Sequence, residues 1–245
     1  MSWSGLDVER SAASAVHPAS PRWLLLVGVG STALFATLTV AVSRHSGIVS
    51  SADIQWHFWA LTHRSEMTIN AARWLTWGGA TIVTLPALVV VGALTSPRGL
   101  PVRSRIGRGL LLAGIASLGV YAGLLVNAAV AGVRPLETDW AGTASGPSFP
   151  SGHTTAATIF AAASVWALCR RWSLPRQRVV IITAAVGYAV VVGLTRVWLG
   201  VHWPSDVVGG WLFGVAWASL AAAAFLLAGR RWPSGFDRFA RATPG

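Results

Sequence analysis

Long apolar runs alternate with short polar segments along this chain of 245 residues. Six runs reach or approach the ~20 residues that carry a helix across a bilayer core. They are Trp23–Ser43, Gly78–Thr95, Gly109–Val133, His153–Cys169, Val179–Val197 and Asp206–Gly229. The pattern predicts an all-α fold, an integral membrane bundle of six transmembrane helices. The segments between the runs are too short for a separate soluble domain. Residues 1–22 are therefore expected as an N-terminal tail, 23–229 as the six-span domain and 230–245 as a C-terminal tail. The fourth run is the shortest and begins with polar residues. One connecting stretch differs from the rest. Between Arg44 and Trp77, the residues Trp56, Phe58, Trp59, Trp74 and Trp77 are interleaved with polar ones. An amphipathic segment lying at the membrane interface has this pattern; a plain connecting loop is the alternative. In the last run, Gly210, Gly214 and Ala218 recur every four residues, spacing that suits close helix packing in lipid.

Composition sharpens the picture. The chain is 53% hydrophobic and 11% charged, against about 25% charged in soluble domains, so a soluble enzyme and a disordered tail are both poor fits. A net charge of +11 would by itself suggest nucleic acid. Its distribution argues otherwise, because every basic residue is arginine and most lie in short clusters between the apolar runs. Arg10 and Arg22 precede the first run; Arg98, Arg103, Arg105 and Arg108 follow the second; Arg170, Arg171, Arg176 and Arg178 follow the fourth; Arg230, Arg231, Arg238 and Arg241 follow the sixth. In a six-span topology those 14 of 19 arginines share one side, which the positive-inside rule makes cytoplasmic. Both termini are then cytoplasmic. An arginine-only basic set also suits a GC-rich bacterial genome. Ala41-Val42-Ser43 offers a cleavage-like site, but the run before it exceeds the usual 7–15 residues of a signal peptide, so the first span is expected to be retained. Cys169 is the only cysteine, which excludes an intramolecular disulfide and a cysteine-based zinc site.

Candidate chemistry lies at span ends on the extracytoplasmic side. Asn127 and Arg134-Pro135 follow the third span, Pro150-Ser151-Gly152-His153 opens the fourth, and Arg196, His202 and Asp206 join the fifth to the sixth. Each group alone has a bland reading: snorkelling arginines, a capping histidine, a polar loop. Together, two histidines, two arginines and an aspartate converging on one membrane face point to function. Asn127 and Arg134, seven residues apart, would share a helix face, with Pro135 ending that helix. Ser151-Gly152 sets backbone N–H groups at a helix start, where an anion is favoured. Asp206 is spaced to hold one nitrogen of His202 and present the other as nucleophile or base. Two guanidiniums and a helix terminus match a phosphoryl group.

These residues resemble the signature of the type 2 phosphatidic acid phosphatase superfamily, the integral-membrane lipid phosphate phosphatases: K-x6-RP, PSGH and SR-x5-H-x3-D. The chain reads Asn127-x6-Arg134-Pro135, Pro150-Ser151-Gly152-His153 and Thr195-Arg196-x5-His202-x3-Asp206. The resemblance covers about Trp23 to Gly229 and implies a phosphohydrolase needing neither metal nor cofactor, working through a phosphohistidine. By that analogy His202 is the nucleophile, Asp206 orients it, and His153 protonates the leaving oxygen and later activates water. Arg134, Ser151, Gly152 and Arg196 hold the phosphoryl oxygens. Asn127 stands where the family has lysine, giving a hydrogen-bond donor without charge.

The implied partner is a lipid phosphate whose headgroup enters at the span ends while its chain stays in the bilayer. Family analogy ranks polyprenyl (undecaprenyl) diphosphate first, ahead of phosphatidic acid and phosphatidylglycerol phosphate. A transporter is disfavoured because no ionisable chain crosses the midplane. A catalytically weak binding member is kept open by Asn127, and the soluble vanadate-dependent haloperoxidase branch is disfavoured by the apolar spans.

Overall fold

The computed structural model describes residues 20–44, 47–172 and 174–231, so most of both expected tails lies outside the described residues. Those residues form eight α-helices and no strand: α1 (Pro21–Ser43), α2 (Gly47–His63), α3 (Glu66–Thr76), α4 (Thr81–Thr95), α5 (Val102–Val130), α6 (Gly152–Arg171), α7 (Pro175–Trp198) and α8 (Pro204–Arg231). Short 3₁₀ turns occupy Trp77–Gly79 and Glu137–Asp139.

Four helices, α1, α5, α7 and α8, are long and apolar enough to cross a membrane, which makes this a multi-pass membrane protein. A fifth span arises if α4 and the helical segment before it are taken together, bent by 53°. The fourth expected span, His153–Cys169, is helical but falls short of membrane-span hydropathy. Its place in the bundle explains why. Helix α6 packs against α4, α5, α7 and α8, burying Thr154, Thr155, Ala156, Ala157, Thr158 and Ile159. A helix wrapped by protein has no need of an apolar outer surface.

Small residues bring the helices close enough to do this. A Cβ added to Gly210 would lie 2.8 Å from Thr154 Cβ, and one added to Gly214 would lie 2.6 Å from Thr158 Cβ, so the two glycines seat α8 on α6. Indole N–H groups tie the bundle further, Trp211 to the Ala189 carbonyl and Trp217 to that of Ile115, both at 3.0 Å.

The stretch between α1 and α4 is two helices rather than a loop. Trp56, Phe58, Trp74 and Trp77 are exposed, while the opposite sides dock on the connections that carry the polar residues. Arg64 donates to the Asp139 carbonyl at 2.7 Å and Arg73 to that of Ala141 at 2.7 Å. Ala72, Leu199 and Val201 form a small apolar cluster beneath, with Ile69 and Trp140 against it.

Gly210→Val tests the α6–α8 seat. Overpacking of this kind costs about 1–3 kcal/mol, so the thermal midpoint in detergent is expected to fall by several degrees. An unchanged midpoint would contradict the packing.

Candidate active site

One end of the bundle holds a cleft of about 440 Å³ lined by Asn127, Arg134, Gly152, His153, Arg196 and His202, with Val120, Gly123 and Leu124 of α5 continuing the wall toward the bundle interior. The three polar groups marked in the sequence thus meet in one place. Asp206 and Ser151 are fully buried and sit behind the lining.

Each residue reaches the cleft for a local reason. Helix α5 ends at Val130, where Ala131 turns left-handed (φ 52°) and its N–H caps the Asn127 carbonyl at 3.0 Å. The sequence reading carries this helix through to Pro135; the early stop instead places Arg134 on a non-helical segment, so Asn127 and Arg134 do not share a helix face. Arg196 occupies the last turn of α7, where a cation complements the negative end of the helix dipole. Gly200, at φ +71°, turns the chain sharply between α7 and α8. That conformation favours glycine, and it delivers His202 just ahead of α8.

Asp206 is the hub. Its Oδ2 accepts from the Trp203 N–H at 2.8 Å, from the Ser148 hydroxyl, and from His202 Nδ1 at 3.2 Å. On the far side of the ring, Arg134 Nη1 lies 3.0 Å from His202 Nε2. A guanidinium can only donate, so Nε2 must offer its lone pair and Nδ1 must carry the proton toward Asp206. Burial pulls the His202 imidazole down to about 4, against the opposing hydrogen bond and charge of Asp206. The ring is therefore neutral near pH 7, with the Nε2 lone pair accepting from Arg134.

Arg134 is saturated. Beyond His202 it donates to the carbonyls of Val201 (2.7 Å), Gly146 (2.9 Å), Ser145 (3.0 Å) and Pro147 (2.9 Å), which uses all five of its N–H groups. Arg196 is not. It donates to Thr76 Oγ1 at 2.9 Å and to the Thr143 carbonyl at 3.3 Å, but its buried Nε–H has no partner among the described residues. A buried orphan donor on a cation costs several kcal/mol at most and at least ~1 kcal/mol, a cost that an anion would remove. Helix α6 adds to this. Its first turn has no side-chain cap, Gly152 is exposed to the cleft, and a Cβ there would meet nothing within 4 Å.

Two expected ligands are occupied otherwise. Asn127 Nδ2 donates to the carbonyls of Pro147 (3.0 Å), Phe149 (3.1 Å) and Pro150 (3.3 Å), so its amide faces the turn before α6 and not an incoming phosphate. The Ser151 N–H donates to the Asp206 carbonyl at 3.0 Å, and its hydroxyl accepts from Thr154 at 3.1 Å. Sequence reasoning missed Ser148, Thr76 and Thr143, whose only signal was a position near the marked residues. It also missed Asp53 and His57 of α2. Asp53 accepts from Ser205, and His57 Nε2 lies 3.0 Å from Asp139 Oδ2.

A cleft at the end of an apolar bundle, walled by guanidiniums and an oriented neutral histidine, has the chemistry to receive an anionic group. The chain belongs to the PAP2 superfamily, whose domain matches residues 111–230. It is 38% identical over 134 residues to lipid A 1-phosphatase of Rhizobium etli, a match covering 46% of this chain and 53% of that protein. It is 29% identical over 181 residues to phosphatidylglycerophosphatase B of Bacillus subtilis, covering 73% and 85%. The match to the lipid A 1-phosphatase thus spans about half the length of that relative. The crystal structure of a transmembrane PAP2-type phosphatidylglycerolphosphate phosphatase from Bacillus subtilis superposes with a TM-score of 0.71 at 25% identity, over 89% of this chain and 98% of that one.

The Asn127 geometry makes a contrast between two variants. Asn127→Ala leaves carbonyls unpaired and should cost about 1–3 kcal/mol of stability. Asn127→Asp sets a carboxylate against the same carbonyls and should cost more. Thermal midpoints check this; an aspartate variant as stable as wild type would overturn the bonding described.

Proposed function

We propose that this protein is a lipid phosphate phosphatase acting through a phosphohistidine at His202. One observation carries the reading: His202 Nε2 bears its lone pair into the cleft, with Asp206 fixing the tautomer behind it and Arg134 at 3.0 Å beside it.

A phosphoryl group entering the cleft would take the orphan Nε–H of Arg196, the N–H groups at the α6 start and the Arg134 Nη1–H now shared with His202. Nε2 then attacks phosphorus, forming a P–N bond as the P–O bond to the lipid breaks. The leaving oxygen takes a proton from His153. Asp206 accepts the Nδ1–H throughout and stabilises the charge that develops on the ring, as an orienting carboxylate does. In the second step water attacks phosphorus, His153 receives its proton, and the P–N electron pair returns to Nε2. Ser148 supports Asp206, and Asn127 holds the turn that leads into α6. These steps draw on the side chains named and on the backbone N–H groups at the α6 start.

The cleft wall supports an amphiphilic substrate, since its polar end merges into Val120, Gly123 and Leu124 on α5. Polyprenyl diphosphate remains the first candidate, with phosphatidic acid and phosphatidylglycerol phosphate behind it. In the proposed topology, six spans leave both termini in the cytoplasm and the cleft outside, supported by the side bias of 14 of 19 arginines.

The decisive assay is phosphate release from a panel of these lipids by purified protein in detergent with chelator present. Wild type should turn over at least one lipid and trap phosphate on His202. His202→Ala should lose turnover by at least about 10³-fold, the scale seen when a nucleophile is removed, and His153→Ala nearly as much. Substantial activity in His202→Ala would sink the assignment. For orientation, Thr138→Cys in a Cys169→Ser background should react with a membrane-impermeant thiol reagent in intact cells; labelling only after lysis inverts the topology.

A further inference from the structure

Helix α8 starts after Trp203, a residue that cannot cap it with a side-chain acceptor. Pro204 takes the first helical position, where its missing N–H costs nothing. The next N–H, that of Ser205, is satisfied from another part of the chain. Asp53 Oδ1 accepts it at 2.8 Å, and Asp53 Oδ2 accepts the Ser205 hydroxyl at 2.6 Å. Ser205 is buried and directly precedes the hub, Asp206. Four residues along the same face of α2, His57 Nε2 meets Asp139 Oδ2 at 3.0 Å, and its ring packs 5.0 Å from that of Trp203. Trp203 in turn gives its N–H to Asp206. Two side chains one turn apart on α2 thus grip both connections that frame His202.

We infer that Asp53 is a positioning residue for the reaction: by capping α8 from a separate helix it fixes Asp206, and through Asp206 the attack angle of His202. This rests on the phosphohistidine reading above and extends it to a residue outside 111–230, the region matched by the family. The physical argument is one of tolerance. Asp206 holds His202 through a single 3.2 Å contact, with little margin for drift before the hydrogen bond fails. Ser205 is the adjacent residue of the same turn, so any shift of Ser205 is passed to Asp206. A carboxylate at a helix N-terminus also interacts favourably with the helix dipole. Burial raises the Asp53 carboxyl above its ordinary range, and the two hydrogen bonds from Ser205 oppose that rise. The group is thus held where it is by its partner as much as it holds the partner.

The test uses the full-length protein in detergent, with Asp53→Ala, Asp53→Asn, Ser205→Ala and the Asp53→Ala/Ser205→Ala double variant. The first readout is the His202 imidazole by ¹⁵N NMR, assigned against His202→Gln, because it needs no turnover. Asp53→Ala should move the Nδ1–H signal, and the double variant should move it no further than Asp53→Ala does. The second readout is kinetic. Asp53→Ala should lower kcat about tenfold, as small misplacements of reacting groups do, with KM within about twofold of wild type. Asp53→Asn keeps one acceptor for the Ser205 N–H and should recover part of the loss. An unmoved His202 signal in Asp53→Ala overturns the inference, as does a fall in thermal midpoint with kcat unchanged. Inactive wild type overturns the phosphatase reading instead, and the NMR comparison still decides the positioning role.

Discussion

A carboxylate buried at the end of an apolar bundle has to be surrounded by donors, and Asp206 sets that requirement for everything near it. Its Oδ2 takes three of them, from the α7–α8 connection, from the turn before α6 and from His202. Each donor belongs to a segment that must then be held still. Arg134 does much of this by donating to four carbonyls across the two connections, and Asn127 secures the turn from below. The guanidinium thus serves two ends: most of its N–H groups build the frame, and one faces the ring nitrogen. The other cleft arginine, Arg196, keeps a buried N–H without a partner among the described residues, so the frame is complete while the cleft is not.

The helices and the cleft residues were largely legible because both signals are local. An apolar run of span length is read within one window, and the ordered triplet around Arg134, His153 and His202 is read from short spacings. What escaped was set by contacts across the chain. Helix α6 reads as a weak span because its neighbours, not lipid, cover it. The end of α5 was misplaced because Pro135 is a strong local stop signal, whereas Ala131 adopts a left-handed turn that alanine seldom takes. Asn127 looked like a replacement for a phosphate ligand, but three carbonyls twenty or more residues away claim its amide. The docking of α2 and α3 on the site was invisible for the same reason. Asp53 and Ser205 are 152 residues apart, and nothing in either neighbourhood announces the other.

The polarity of α6 has a consequence for how such a protein is made. Its first turns carry Thr154, Thr155 and Thr158 facing inward, and each hydroxyl or charge on a nascent segment weighs against its transfer from the translocon into lipid. Helix α6 is synthesised after α5 and before α7 and α8, two long apolar helices that follow it in sequence and pack against it in space. A segment that lipid accepts poorly can wait at the channel until its neighbours emerge and then leave together with them. The helix that opens onto the cleft would thus commit to the membrane only with the helices made after it, its insertion paced by translation of the chain that follows.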